Sequence, residues 1–316
     1  MYWAKKLFSF VLTSFLISVI AFAFLRILPS DPAYLIASID EGSHFDQEVY
    51  EFIQTKYHFD KPLLQQYIYW VKGLFVGNWG ISFYTGQKIF DQLFSSFGYS
   101  LQLVFLAWIF SLITGLFCGF FLVITNSNLI KFLISTFGFL GLAIPNFLMG
   151  VILVLIFGSI LGWLPVAGYR DFFEGPMSWF KYMILPVLVL GSSYTAYIMQ
   201  EIYSGLTEQL GKNYVQLAKV KGINRMRVIL KHCFPNVLIQ LGALSSVQLS
   251  VLIGGTFIVE EIFVLPGLGR LMIESVKTND YMVLQGGILI IAMFVLLLNT
   301  LVDFLFKYFD PRLRID

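Results

Sequence analysis

NYVQLAKVKGINRMRVILKHCFP, residues 213–235, is a basic and polar segment set between long apolar runs. Its local chemistry predicts two short helices. Asn213 is placed to cap the first, with Gln216 three residues on reaching back as in a capping box, so a helix is expected from Tyr214. Gly222 offers the left-handed position that ends it, and Asn224 is placed to cap a second helix from Arg225. On that second helix Met226, Ile229, Leu230 and Cys233 or Phe234 recur at helical spacing, with Arg225, Arg227 and Lys231 on other faces. Such an element lies at a membrane surface or against a partner. A second reading stands beside it, an ordinary basic cytoplasmic loop that orients the protein.

The flanking sequence defines the medium. Of 316 residues, 58% are hydrophobic and 13% charged, and the mean hydropathy is +0.78. That leaves too little polar surface to coat a soluble enzyme, so the chain is read as an all-α polytopic membrane protein. Six candidate spans lie at 8–28, 98–124, 132–161, 182–203, 236–264 and 283–306. Continuous apolar runs of this kind are helices and not barrel strands. With the N-terminus inside, the shorter inner segments hold Lys5, Lys6, Lys131, the six basic residues of 204–235, and Lys307, Arg312 and Arg314. The longer outer segments hold eight: Lys56, Lys61, Lys72, Lys88, Arg170, Lys181, Arg270 and Lys277. Basic density therefore puts both termini and the 204–235 loop in the cytoplasm.

Lys5 and Lys6 before an apolar run with Ala21-Phe22-Ala23 also fit a cleaved signal peptide, but the run continues to Leu28, long enough to span. The extracytoplasmic loop 29–97 mixes acidic residues with aromatic clusters and is expected to hold short helices, either functional or as an interfacial belt anchored by Trp70, Trp79 and Tyr84. No linker or repeat divides the chain, so 1–316 is read as a single transmembrane domain.

No G-x-x-x-x-G-K-[ST] loop is present, so nothing of that type cradles a nucleotide. Cys118, in a span, and Cys233, in the inner loop, are read as small apolar packers and not as a disulfide pair. His44, His58 and His232 do not cluster at ligand spacing, and no metal site is expected. Polar residues inside spans are costly in lipid and mark either a watery path or interhelical bonds. Asn146, Gln240, Ser245 and Gln248 are the candidates for a translocation path, with Ser246 and Ser250 beside them. Pro145 is expected to kink the third span. Gly115 and Gly119 form a G-x-x-x-G pair read as close packing. Arg26, Glu201, Asp303 and Lys307 are assigned boundary roles. Pro266, Gly267 and Gly269, in PGLG after the fifth span, are turn chemistry placed at the outer mouth.

The 213–235 segment resembles the EAA loop of bacterial ABC importer permeases. The frame is Gln216-Leu217-Ala218, three residues, Gly222, nine residues, then His232-Cys233-Phe234-Pro235; Ala218, Gly222 and Pro235 match in register. Tyr214, Ala218, Lys221 and Gly222 follow the form typical of the dipeptide, oligopeptide and nickel branch, and the chain looks like its B-type subunit. An ordered series supports this: Leu28-Pro29-Ser30-Asp31-Pro32; Asp60-Lys61-Pro62 with Gln65, Gln66 and Tyr67; Gly77-Asn78-Trp79-Gly80-Ile81-Ser82; Leu164-Pro165-Val166-Ala167-Gly168; Glu261-Ile262-Phe263; Asp280-Tyr281; Gln285-Gly286-Gly287; and Asp310-Pro311-Arg312.

The resemblance implies a type I importer permease fold and an inner-membrane subunit that is not itself an enzyme. It implies no cofactor on this chain, with ATP and magnesium used elsewhere, and no nucleic acid. The implied partners are a homologous permease, two cytoplasmic ABC ATPase subunits, an extracytoplasmic substrate-binding protein and the lipid bilayer. Peptides, nickel or metal chelates are the implied cargo. The helix at Tyr214, Gln216, Leu217, Ala218 and Lys221 would sit in a groove of an ATPase subunit, with the small Ala218 allowing close approach and Gly222 the turn. An ion-gradient-driven secondary transporter or channel is the alternative.

Overall fold

Fourteen helical segments run through the described residues of the computed structural model, which are 2–27, 33–34 and 47–309; the side chains of 2–4, 24–25, 27, 49, 239–240, 243–247 and 303–309 are excepted. The 28–32 and 310–312 blocks, His44, Arg314 and the side chains of Gln240, Ser245, Ser246, Asp303 and Lys307 therefore lie outside the described residues. In chain order the helices are α1 (Tyr2–Ile27), α2 (Gln47–Lys56), α3 (Leu63–Val76), α4 (Ile89–Ile124), α5 (Asn128–Ala143) and α6 (Asn146–Leu153), with a π-helical segment at Val154–Ile160. They continue as α7 (Pro176–Leu210), α8 (Asn213–Val220), α9 (Arg225–Val228), a second π segment at Ile229–Cys233, α10 (Phe234–Ile262), α11 (Leu268–Lys277) and α12 (Tyr281–Phe309). An isolated bridge pairs Ile81 with Lys88, and no β-strand occurs among the described residues.

Among the described residues four helices are long and apolar enough to cross a membrane: Lys5–Ala23 within α1, α4, α7 and Tyr281–Val302 within α12. The third predicted span is not one rod. It is α5 and α6 with its π segment, bent by 111° at the break, and counted as one span it would make five. The kink expected at Pro145 is thus a bend past a right angle. The proline has no N–H to donate and sits with φ −57° and ψ 143° as the N-cap of α6. The predicted fifth span falls on the 29-residue α10, which is not among these four. At 36 residues α4 is roughly 54 Å long. That exceeds the ~30 Å hydrocarbon thickness, so it extends well beyond its predicted start at 98.

The described residues form two compact units, one drawn from 1–99 with 267–297 and one from 100–266 with 298–309. In the first, Ile89, Leu93, Leu268, Val283 and Ile290 make the core. Gly286 lets α12 close on it: a Cβ there would stand 2.6 Å from Leu93 Cδ1. Ser82 donates to the Asp280 carboxylate, whose other oxygen accepts from the Val283 N–H at 3.4 Å, so the 77–82 block and the start of α12 are pinned together. In the second unit the G-x-x-x-G reading holds. A Cβ on Gly115 would meet Ile198 Cβ at 2.7 Å and one on Gly119 the Met199 carbonyl at the same distance, so only glycine lets α4 and α7 touch. Ser111 and Thr114 reinforce the contact by bonding Gly191 O and Thr195 Oγ1 at 2.8 and 2.9 Å.

Candidate coupling surface and path

Helix α8 starts differently from the capping-box expectation. Asn213 is already helical, Lys212 occupies the N-cap with no side-chain bond, and Lys212 pairs with Glu208 at 3.0 Å. The C-terminal end follows the prediction. Gly222 has φ +73°, its N–H donates to Lys219 O at 2.9 Å, and the Ile223 N–H donates to Ala218 O at 3.1 Å. These two bonds define a Schellman turn, with Ile223 packed back on the apolar cluster beneath the helix. Asn224 caps α9 as predicted, accepting from the Met226 N–H at 2.9 Å.

The second predicted helix is instead the first turn of a rod from Arg225 to Ile262, interrupted only by the π segment. Pro235 explains that interruption. Inside a regular α-helix its ring would collide with the carbonyl four residues back, and the wider π turn just before it relieves this. The widened turn also shifts the buried face: Val228, Ile229 and Cys233 are buried, while Met226 and Leu230 are exposed. Cys233 is an apolar packer, as read.

Val215 and Ala218 are the two buried residues of α8. They enter a cluster with Val123 of α4, Ile198, Ile202 and Leu206 of α7, and Val237 and Leu241 of α10. Ala218 therefore points into its own unit, and its small size serves that packing. The outward face is Gln216, Leu217, Lys219 and Val220, with Leu217 63% and Val220 86% exposed. Tyr214 locks the helix at its start, its hydroxyl donating to the buried Gln209 Oε1 at 2.8 Å. Burial, and then the neighbouring Cys233 thiol, push the Tyr214 phenol up to about 12, so it remains a donor at neutral pH. Arg225 reaches back to Val123 O at 3.2 Å.

Of the predicted path residues with described side chains, Asn146 and Gln248 line one cavity of about 590 Å³ with Ser193, Tyr194 and Tyr197. Asn146 Oδ1 accepts from Ser193 Oγ at 3.1 Å, and Gln248 is 8% exposed. The aromatic and serine contributors from α7 carried no signal in the linear sequence, because they lie roughly 50 positions from both Asn146 and Gln248. The predicted PGLG turn resolves into a helix start: Gly267 is the N-cap of α11, and Gly269 is buried within it. The turn itself lies earlier, at Val264, where φ is +54°. Among the described residues no group of three or more His, Cys, Asp or Glu is gathered for a metal.

Residues 111–315 match the family described as binding-protein-dependent transport system inner membrane component, and residues 1–104 match its N-terminal companion. The glutathione transport system permease protein GsiC of Escherichia coli (strain K12) is 32% identical over 313 residues, covering 99% of this chain and 98% of that one. A putative peptide transport system permease of Brucella abortus (strain 2308) is 30% identical over 301 residues, covering 95% of each. Among solved structures, the inward-facing MetNI methionine ABC transporter superposes with a TM-score of 0.52 at 16% identity, covering 68% of this chain and 95% of that chain, a likeness of fold.

Proposed function

The chain belongs to the binding-protein-dependent transport system inner membrane component family, and on that premise we propose a division of labour among its residues and a cargo. As a family member it is the membrane permease of an ABC importer, set in the bacterial inner membrane, with ATP hydrolysis carried by separate subunits. The cargo is a small peptide, since the relatives named above are peptide and glutathione permeases; nothing comparable supports nickel. Both termini and the 204–235 loop face the cytoplasm. The assembly holds a homologous permease, two ATPase subunits and an extracytoplasmic binding protein. The cavity at Asn146 and Gln248 belongs to the translocation path.

The observation that carries the coupling assignment is the two-faced α8, anchored inward by Val215 and Ala218 and presenting Leu217 and Val220 outward. Two exposed apolar side chains on so short a helix are worth on the order of 1–2 kcal/mol each when a partner covers them. The Schellman turn at Gly222 and the Tyr214–Gln209 bond make the helix a stiff lug. ATP shifts the bundle only by its differential affinity for the closed ATPase pair, so the lug must pass that preference on without bending. Gln216 and Lys221 flank the contact, and Pro235 fixes the start of the rod behind it.

The test is affinity purification from mild detergent of the native chain and of Leu217→Glu/Val220→Glu, with uptake measured in parallel. A P-loop ATPase is expected with the native chain and lost from the double variant, with membrane insertion unchanged and uptake abolished. Retention of both ATPase and uptake by the double variant would overturn the assignment. Ala218→Glu should also abolish uptake, but by forcing a carboxylate into the apolar cluster and unseating α8. It is therefore expected to expose the 213–223 backbone to hydrogen exchange, which the double variant leaves protected.

A further inference from the structure

Within the first unit a cavity of about 410 Å³ has two cations, Arg26 and Lys56, and no Asp or Glu among its lining residues. Arg26 is held in a fixed pose. Its Nε and Nη2 donate to Gln66 Oε1 at 3.3 and 2.8 Å, and the Gln66 amide is itself oriented by donating to Phe59 O at 3.0 Å and Lys61 O at 2.8 Å. The guanidinium lies 4.2 Å over the Phe22 ring and 5.3 Å from that of Phe59. A guanidinium carries five N–H donors, and Gln66 engages one on each of two nitrogens. The rest have no carboxylate partner among the described residues. A half-buried cation without an acid is costly unless something supplies the charge.

A second and independent observation points the same way. Gln285 is 2% exposed, it lines this cavity, and its Nε2 has no acceptor among the described residues. Buried amide donors are normally satisfied, and an orphan in a cavity wall marks a missing partner. Much of the remaining wall is aromatic, from Tyr57, Tyr69, Trp70 and Trp79, with Asn78 and Asn279 among the polar lining residues. Unused donors at the Arg26 and Gln285 positions among flat apolar walls suit a planar anion with a hydrophobic body, and the volume is that of a small-molecule site.

We infer that this cavity binds the C-terminal carboxylate of a small peptide, with Arg26 and Gln285 donating to it and the aromatic walls covering the adjoining side chain. The inference rests on the peptide cargo proposed above and adds a contact point on the permease itself. The planar fork of Arg26 matches a carboxylate edge in two parallel bonds, a geometry that lysine does not offer.

The experiment uses the full assembly in lipid nanodiscs and the dipeptide leucyl-phenylalanine, as the free acid and as the C-terminal amide. The native assembly is expected to bind the acid at least tenfold more tightly than the amide. Arg26→Gln should bring the two within about twofold, and Gln285→Leu should weaken the acid several-fold and leave the amide unchanged. The ATPase should co-purify with every variant, which separates this site from the coupling surface. Equal binding of acid and amide by the native assembly would overturn the inference without recourse to any variant, as would an acid preference that survives Arg26→Gln. If neither dipeptide binds while the ATPase still co-purifies, the inference fails and the coupling assignment stands. In that case, loss of binding-protein association in Arg26→Gln would assign the cation to an acidic side chain of that protein.

Discussion

Gly222 and Val264 perform the same backbone task near the two ends of one helical rod, and only one of them is suited to it. At Gly222 the bonds run from Gly222 N to Lys219 O and from Ile223 N to Ala218 O, at 2.9 and 3.1 Å. At Val264 they run from Val264 N to Glu261 O and from Leu265 N to Glu260 O, at 3.4 and 2.9 Å. Both residues sit at positive φ, +73° and +54°. Glycine adopts that conformation freely, whereas a β-branched residue there is an outlier held by its surroundings. The surroundings are identifiable: the Phe263 side chain is 2% exposed and its carbonyl accepts from Gly168 N at 2.8 Å, while Glu260 is 1% exposed and accepts from Ser100 at 2.6 Å. The turn at Gly222 is relaxed by its residue type, and the one at Val264 is forced by its neighbours.

Exchanging the residue types should give the largest response. Gly222→Val meets no atom within 4 Å of its new Cβ, so its cost is pure backbone strain, about 1–2 kcal/mol. It should open the turn, raising hydrogen exchange at Gly222 and Ile223 and lowering uptake. The reciprocal Val264→Gly should relieve a similar strain, less the ~0.5–1 kcal/mol of glycine's extra chain entropy, for a net gain of about 0.5–1 kcal/mol seen as a higher thermal midpoint. A lower midpoint would mean that the valine side chain contributes more than its backbone costs.

A third turn of this pattern, at Asn279, hands its last position to Asp280, whose N–H donates to Ser275 O at 2.8 Å. Burial raises the Asp280 carboxyl above the usual carboxylate range, outweighing the opposing bonds from Ser82 and the Val283 N–H. Its protonated form therefore favours the folded state. That contribution is present below the unfolded pKa and lost as pH rises through the raised one. Thermal midpoints across the acid range should show this decline, and Asp280→Asn should flatten it. The smallest effects belong to Gly222→Asn and Val264→Asn, each expected within about 0.5 kcal/mol of the parent, because asparagine accepts the left-handed region as Asn279 already does.

These turns also mark what sequence could and could not announce. Gly222 was legible because a glycine after an amphipathic run has one common use there, and Asn224 because its side chain caps locally. Val264 carried no signal, since its conformation is imposed by packing from far along the chain. The capping box failed because the helix began one residue early, turning Asn213 from cap into first turn. Ala218 was recognised as a site, but an eight-residue helix with apolar residues on two faces does not say which one looks inward. The long apolar helices and the G-x-x-x-G contact followed from hydropathy and spacing. The bend after Ala143 was underestimated, because a proline fixes its own φ and not the angle between the helices on either side. Arg26 was read as a boundary cation, since Gln66, which turns it into a cavity residue, lies 40 positions away and Gln285 far beyond that.

The π segment at Ile229–Cys233 has a consequence for how this chain tolerates changes in length. A π turn is an α-helix carrying one surplus residue, so removing one residue there regenerates a regular helix with the faces on both sides unrotated. A single-residue deletion within 229–233 should keep Val215 and Ala218 seated and α10 in place, whereas the same deletion a turn later would swing the following side chains by about 100°. Gaps between homologous chains are therefore expected to gather at this one turn, leaving the lug and the rod aligned across proteins that differ in length between them.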